Sequence, residues 1–269
     1  AKDNPEFDVW HGGPVDGYGA AAEKGLIEAY DSPTAKEIPD KYKDPKHYWT
    51  GVYVGVLGFC SNKKVLDEKG LAVPESWSDL LKPELKGQIS TAHPSTSGTA
   101  FTTLWTQVVL GGSENAGIDY MKKMHANVLQ YTKSGTAPGQ IAGRGEVAVG
   151  LVFSHDCVKY RDEGMKDLVV SFPKEGTGYE IGGVALVKNS KHSEAAKKYI
   201  DWAISADAQN LGQTVGSNQI LTNPNAKTND KMAKLDEINL INYDFAAAAA
   251  AKPELTKRFD EEVAAKPRE

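Results

Sequence analysis

His155, Asp156 and Glu180 are the side chains whose types and setting promise chemistry. An imidazole donates or accepts a hydrogen bond, and a carboxylate accepts several at once. His155 and Asp156 follow the apolar run VGLVF at residues 149–153, which has the length and β-branched content of a buried strand, so they sit where that strand leaves a sheet. Glu180 lies with Tyr179 in a glycine-heavy turn, just ahead of a second β-rich run at 181–187. Three chemistries draw on such a set. A Cys157 nucleophile served by His155 while Asp156 orients the imidazole is disfavoured, because adjacent strand residues face opposite sides. Imidazole with two carboxylates suits iron or zinc, but the spacing matches no recognised ligand pattern and no metal is assigned. The third reading gives the same groups to sugar hydroxyls.

Two stretches rich in hydroxyls and glycine add donors for an anion. Ser95, Thr96, Ser97, Gly98 and Thr99 crowd the start of a helix whose apolar positions Phe101, Leu104, Trp105, Val108 and Val109 fall at helical spacing. Helix N-termini present unpaired N–H groups and a partial positive charge, so this start reads as an anion cradle; ordinary capping needs only one hydroxyl. The Gly-Lys-Ser/Thr ending of a P-loop is absent. Lys133, Ser134, Gly135 and Thr136 form a second such loop before a short helix, and the two loops together can grip one phosphate from both sides. Arg144 reads as a solvated arginine at a helix end. Gly12 and Gly13 close a strand-like segment, EFDVWHGG, where they either free backbone N–H groups for a ligand or simply make a tight turn.

These groups need a scaffold, and strands alternating with helices along the chain argue for an α/β fold. At 269 residues the chain has room for two lobes, each with a core. A net charge of -5 gives no basic face for nucleic acid. No run approaches the roughly 20 apolar residues of a membrane span. Residues 51–62, GVYVGVLGFCSN, read as a long strand able to cross between lobes. Cys60 and Cys157 lack metal-ligand spacing; they can pair in an oxidising compartment, and two separately buried thiols is the preferred reading. Leu255, Phe259 and Val263 form a packing stripe on the last helix. The chain opens on Ala1 rather than Met, which reads as removal of an upstream segment.

Taken in order, FDVWHGG, PESWSDL, STSGTAF, QYTKSG, AGRGE, VGLVFSHD, EGTGYEIGG and SNQILTN resemble the periplasmic substrate-binding proteins of ABC importers in the ferric-binding-protein-like group, most closely its hexose-phosphate binders. The resemblance runs through nearly the whole chain. It implies a two-lobed type II periplasmic-binding-protein fold with the ligand cleft between lobes, residues 1–75 and 181–269 forming one lobe and 76–180 the other. It also implies that the first lobe's N-terminal strand-helix units are missing, the chain starting at about the third strand.

Carried over by motif, Ser97-Gly98-Thr99 matches the group's anion-holding loop, Ser134 falls near its second anion contact, and His155, Asp156 and Glu180 match the sugar-directed trio. Ferric binders place two adjacent tyrosines where this chain has His155 and Asp156, and no tyrosine pair occurs in the sequence. The implied function is a periplasmic, monomeric, non-catalytic receptor without cofactor or nucleic-acid partner. It would capture a sugar phosphate of hexose 6-phosphate type and hand it to a membrane permease. Ferric iron, a phosphonate or another small anion is the alternative ligand.

Overall fold

The structure, a computed structural model, describes residues 4–267, so the expectation attached to Ala1 lies outside the described residues. The chain begins with β1 (Val9–Pro14), α1 (Asp16–Glu23), β2 (Ile27–Glu28), β3 (Thr50–Asn62) and α2 (Lys63–Glu68). Then come β4 (Ile89–Ala92), α3 (Gly98–Gly111), α4 (Glu114–His125), β5 (Val128–Thr132), α5 (Ala137–Gly143), β6 (Val149–Phe153) and α6 (Ser154–Asp162). It continues through β7 (Leu168–Ser171), β8 (Tyr179–Val187), α7 (Ser193–Ala203), α8 (Ala206–Thr214), β9 (Ile220–Leu221) and α9 (Phe245–Glu262). The fold is α/β, as the alternation of elements implies. Among the described residues no helix is long and apolar enough to cross a membrane.

The chain divides into two units. The first takes residues through Gly55, Glu180–Met232 and Phe245–Ala249; the second takes Val56–Tyr179, Ala233–Asp244 and the chain from Ala250 onward. These limits differ from a division at 75 and 180. Residues 56–62 go with the second unit because this half of β3 is hydrogen-bonded there, to β6 from Leu57↔Phe153 to Ser61↔Val149 and to β7 from Phe59↔Ser171 to Asn62↔Leu168. The far end of α9 goes with it too, since Phe259 is fully buried against His93 and Tyr131.

In the first unit, β8 carries β1 and β2, while β9 pairs with the first half of β3 at Tyr53↔Leu221 and Val54↔Ile220. β1 pairs with β8 antiparallel from Val9↔Leu186 to Pro14↔Gly182, and β2 pairs with it at Ile27↔Val187. Tyr18 of α1, Ile27 and Ala185 pack with Trp10 to fill one core, Trp10 and Tyr18 stacking at 4.0 Å.

In the second unit the strand order is β7-β3-β6-β4-β5, with β6, β4 and β5 mutually parallel. β6 is buried at all five positions, as a strand covered on both faces must be, which explains its unbroken apolar sequence. Helix α3 begins where the Ser97 hydroxyl accepts from Ala100 N, and it stops at Gly112 in the left-handed conformation, φ 74°.

Cys60 and Cys157 form a disulfide with a Cα–Cα distance of 5.5 Å, which corrects the expectation of two separate thiols. Their types alone could not show that β3 and the first turn of α6 lie side by side. Around the bridge, Ile141, Val147, Val152, Tyr160 and Leu168 make a core.

Candidate functional site

Three turns of the second unit collect most of the expected side chains. β4, β5 and β6 are adjacent and parallel, so their C-terminal ends share one edge of the sheet, where open α/β sheets bind ligands. From β4 the chain enters the Ser97-Gly98-Thr99 turn, from β5 the Ser134-Gly135 turn, and from β6 the His155-Asp156 pair.

The first two turns touch. A Cβ placed on Gly135 would lie 2.3 Å from Thr99 Oγ1 and 2.7 Å from Ser97 Oγ, so only a residue without a side chain lets these loops meet. At the start of α3, Ala100 N is satisfied by Ser97 Oγ, whereas the amides of Gly98 and Thr99 occupy the two first positions, which have no intrahelical acceptor. Those amides and the helix dipole make a donor set aimed at negative charge. The five-residue cluster is not uniform, however. Ser95 Oγ donates to Asp260 Oδ1 at 3.0 Å and Thr96 Oγ1 to His93 O at 3.2 Å, so these two hydroxyls hold the turn itself.

In the second loop, the Ser134 and Thr136 hydroxyls lie 3.0 Å apart and Thr136 N donates to Ser134 Oγ at 3.3 Å. Arg144 pairs with Glu146 at 2.5 Å in a half-exposed position, in keeping with a solvated arginine.

His155 and Asp156 do not extend the strand. Phe153 is the last β residue, and both polar residues stand in the first turn of α6, where an acidic side chain is favoured by the helix dipole. His155, Asp156 and Cys157 thus follow one another on a helix and not on opposite strand faces as expected, and Cys157 is in any case held in the disulfide. Both side chains are largely buried, with His155 Nε2 3.8 Å from Asp156 Oδ1, and the His155 ring stacks on Phe153 with centroids 5.8 Å apart. Burial pushes the imidazole down to about 4 and the Asp156 carboxyl up to about 6, Lys159 opposing the latter. At neutral pH the pair is a neutral imidazole beside a carboxylate, an acceptor-rich surface for O–H groups.

Gly12, Gly13 and Glu180 belong to the first unit. Gly12 (φ 91°) and Gly13 (φ 79°) both adopt conformations that side chains strongly disfavour, where the β1–β8 register shifts. Their donors are not all open: Gly13 N donates to Tyr53 Oη at 3.3 Å, and the Tyr18 hydroxyl lies 2.8 Å from Gly12 O and 2.7 Å from Gly183 O. Val15 N donates to Ile181 O, which sets the glycine turn beside the Glu180 end of β8. Glu180 itself is buried. Among the described residues no group of three His, Cys, Asp or Glu side chains is gathered for a metal ion.

Sequence reasoning missed His93, Asp260 and Tyr53. The tyrosine ring packs against Gly182, where an added Cβ would fall 2.1 Å from the ring, and the glycine pair at 182–183 was the available signal.

The sequence profile of a family described as bacterial extracellular solute-binding protein matches residues 15–249. An uncharacterized protein of Haemophilus influenzae is 42% identical over 93% of this chain and 74% of its own length. The structure of the periplasmic binding protein AfuA from Actinobacillus pleuropneumoniae, with exogenous fructose-6-phosphate bound, superposes with a TM-score of 0.92 at 39% identity, covering 97% of this chain and 84% of that one. That of the periplasmic binding protein P5PA gives a TM-score of 0.89 at 32% identity over 97% and 85%.

Proposed function

The chain belongs to the bacterial extracellular solute-binding proteins, and from that membership we propose that it is the receptor of an ABC importer for a sugar phosphate of hexose 6-phosphate type. It works in the periplasm as a monomer and passes its ligand to a membrane permease, without chemical turnover. The carrying observation is the meeting of the Ser97-Gly98-Thr99 and Ser134-Gly135 turns at the ends of adjacent parallel strands. Likeness to a protein whose structure holds fructose-6-phosphate supports the same ligand class.

In this reading, Gly98 N, Thr99 N and the hydroxyls of Ser97, Thr99 and Ser134 hold the phosphate, with Gly135 permitting their approach. Hydrogen bonds from such donors to an ionised group contribute about 1.5–3 kcal/mol each, so a handful accounts for micromolar binding without a lysine or arginine in the set. His155, Asp156 and Glu180 take the sugar hydroxyls, and Gly12 and Gly13 shape the turn next to Glu180. A neutral imidazole accepts or donates, whereas the two acids accept, which favours O–H groups over a second anion.

Calorimetric titration of the protein with glucose 6-phosphate and fructose 6-phosphate tests the proposal. Saturable binding of one or both is expected. Silence towards every sugar phosphate would end it.

A further inference from the structure

Both candidate anion turns are fastened to one histidine. His93 follows β4 directly and has no exposed surface. Its backbone N–H donates to Thr132 O at 2.9 Å, where β5 runs into the Ser134-Gly135 turn. Its carbonyl accepts from Thr96 N and Ser97 N, each at 3.0 Å, at the head of the other turn. The ring completes the arrangement, since Nδ1 accepts from Ser95 N at 3.2 Å. That bond leaves Nε2 to carry the proton. Around Nε2 lie two acceptors of the C-terminal segment, Ala264 O at 2.9 Å and Asp260 Oδ1 at 3.3 Å, and the same Asp260 oxygen accepts from Ser95 Oγ. The edges of Phe259 and Tyr131 close in on the ring, with centroids 5.0 and 5.8 Å away.

We propose that His93 is the positioning residue of the anion site and that Asp260 orients it, an inference that rests on reading these turns as the phosphate cradle. Backbone amides bind an anion well only when they are already aimed, because a loop that must order itself on binding loses that ordering entropy from its affinity. A single imidazole in one tautomer presents an acceptor to the Ser95–Thr99 turn and a donor to α9 and its continuation. Asp260 fixes which nitrogen does which. His93 acts through the turns, since it is buried away from any ligand.

The test uses the full chain labelled with nitrogen-15 and four variants: Asp260→Leu, Asp260→Asn, Ser95→Ala and His93→Phe. Imidazole nitrogen shifts in the wild type are expected to show a protonated Nε2 and a bare Nδ1. Asp260→Leu is expected to weaken fructose 6-phosphate binding by about tenfold and to move the amides of Gly98, Thr99 and Gly135. Asp260→Asn keeps an oxygen acceptor and should stay within about threefold of wild type, and Ser95→Ala should fall between them. A general loss of stability would not be rescued by asparagine. The inference is overturned if Asp260→Leu and His93→Phe proteins that retain a cooperative melt bind as the wild type does, or if Nδ1 carries the proton. If the wild type binds no sugar phosphate, the proposed function falls, and the amide shifts in the ligand-free variants still decide the positioning role.

Discussion

Gly135 and Thr99 stand so close that a methyl group on the glycine would lie 2.3 Å from the threonine hydroxyl. This is a contact between two turns that leave different strands, and it makes one donor surface out of two loops.

Replacing Gly135 with alanine therefore forces the turns apart. Overpacking of this kind destabilises by about 1–3 kcal/mol, and the displaced donors should weaken fructose 6-phosphate binding by about tenfold or more. Calorimetry and thermal melting on the same sample check it; undiminished affinity would separate the contact from binding.

Asp156 sets a pH dependence. Its carboxyl is raised to about 6 in the fold, so its contribution to stability is present below pH 3.8 and is lost as pH rises through 6. Asp156→Asn should accordingly stabilise the protein more at pH 8 than at pH 5. His155 runs the other way: depressed to about 4, it favours the fold above pH 6.5, an advantage lost as pH falls through 4. Sugar-phosphate affinity should drop below pH 6 in the wild type. In Asp156→Asn the part of that drop that comes from the protein disappears, and what stays belongs to the phosphate's own titration.

Glu180→Gln keeps the shape and removes the charge. Exchanging a charge-assisted hydrogen bond to a sugar hydroxyl for a neutral one should weaken hexose phosphate about tenfold while changing inorganic phosphate binding little. Equal losses for both ligands would place Glu180 elsewhere in function.

Removing the disulfide, with Cys60→Ser and Cys157→Ser together, should lower stability by about 4 kcal/mol, because it closes a loop spanning 97 positions. For a protein of this size that is roughly 10 °C in melting temperature. A melting curve insensitive to reductant would contradict this account.

Much of this was legible in the chain. VGLVF announces a strand buried on both faces because its apolar run is unbroken, and the five apolar positions from Phe101 to Val109 announce α3 because they follow a repeat of 3.6 residues. The helical start at Ser154 was not read, although Cys157 and Tyr160, three apart and both buried, carried a helical signal. The disulfide was out of reach for another reason: two cysteines 97 positions apart say nothing about which strand meets which helix until the sheet order is known. His93 was hidden in the same way, since its partners Thr132, Asp260 and Ala264 come from distant segments.

The Cys60–Cys157 bridge has a consequence for handling the protein. Both candidate anion turns, and every residue between Ser61 and Asp156, lie inside a covalent ring. A protease that nicks the backbone once anywhere in that ring leaves the two fragments tethered, so the damaged protein keeps its mass on a non-reducing gel and reveals the cut only after thiol treatment.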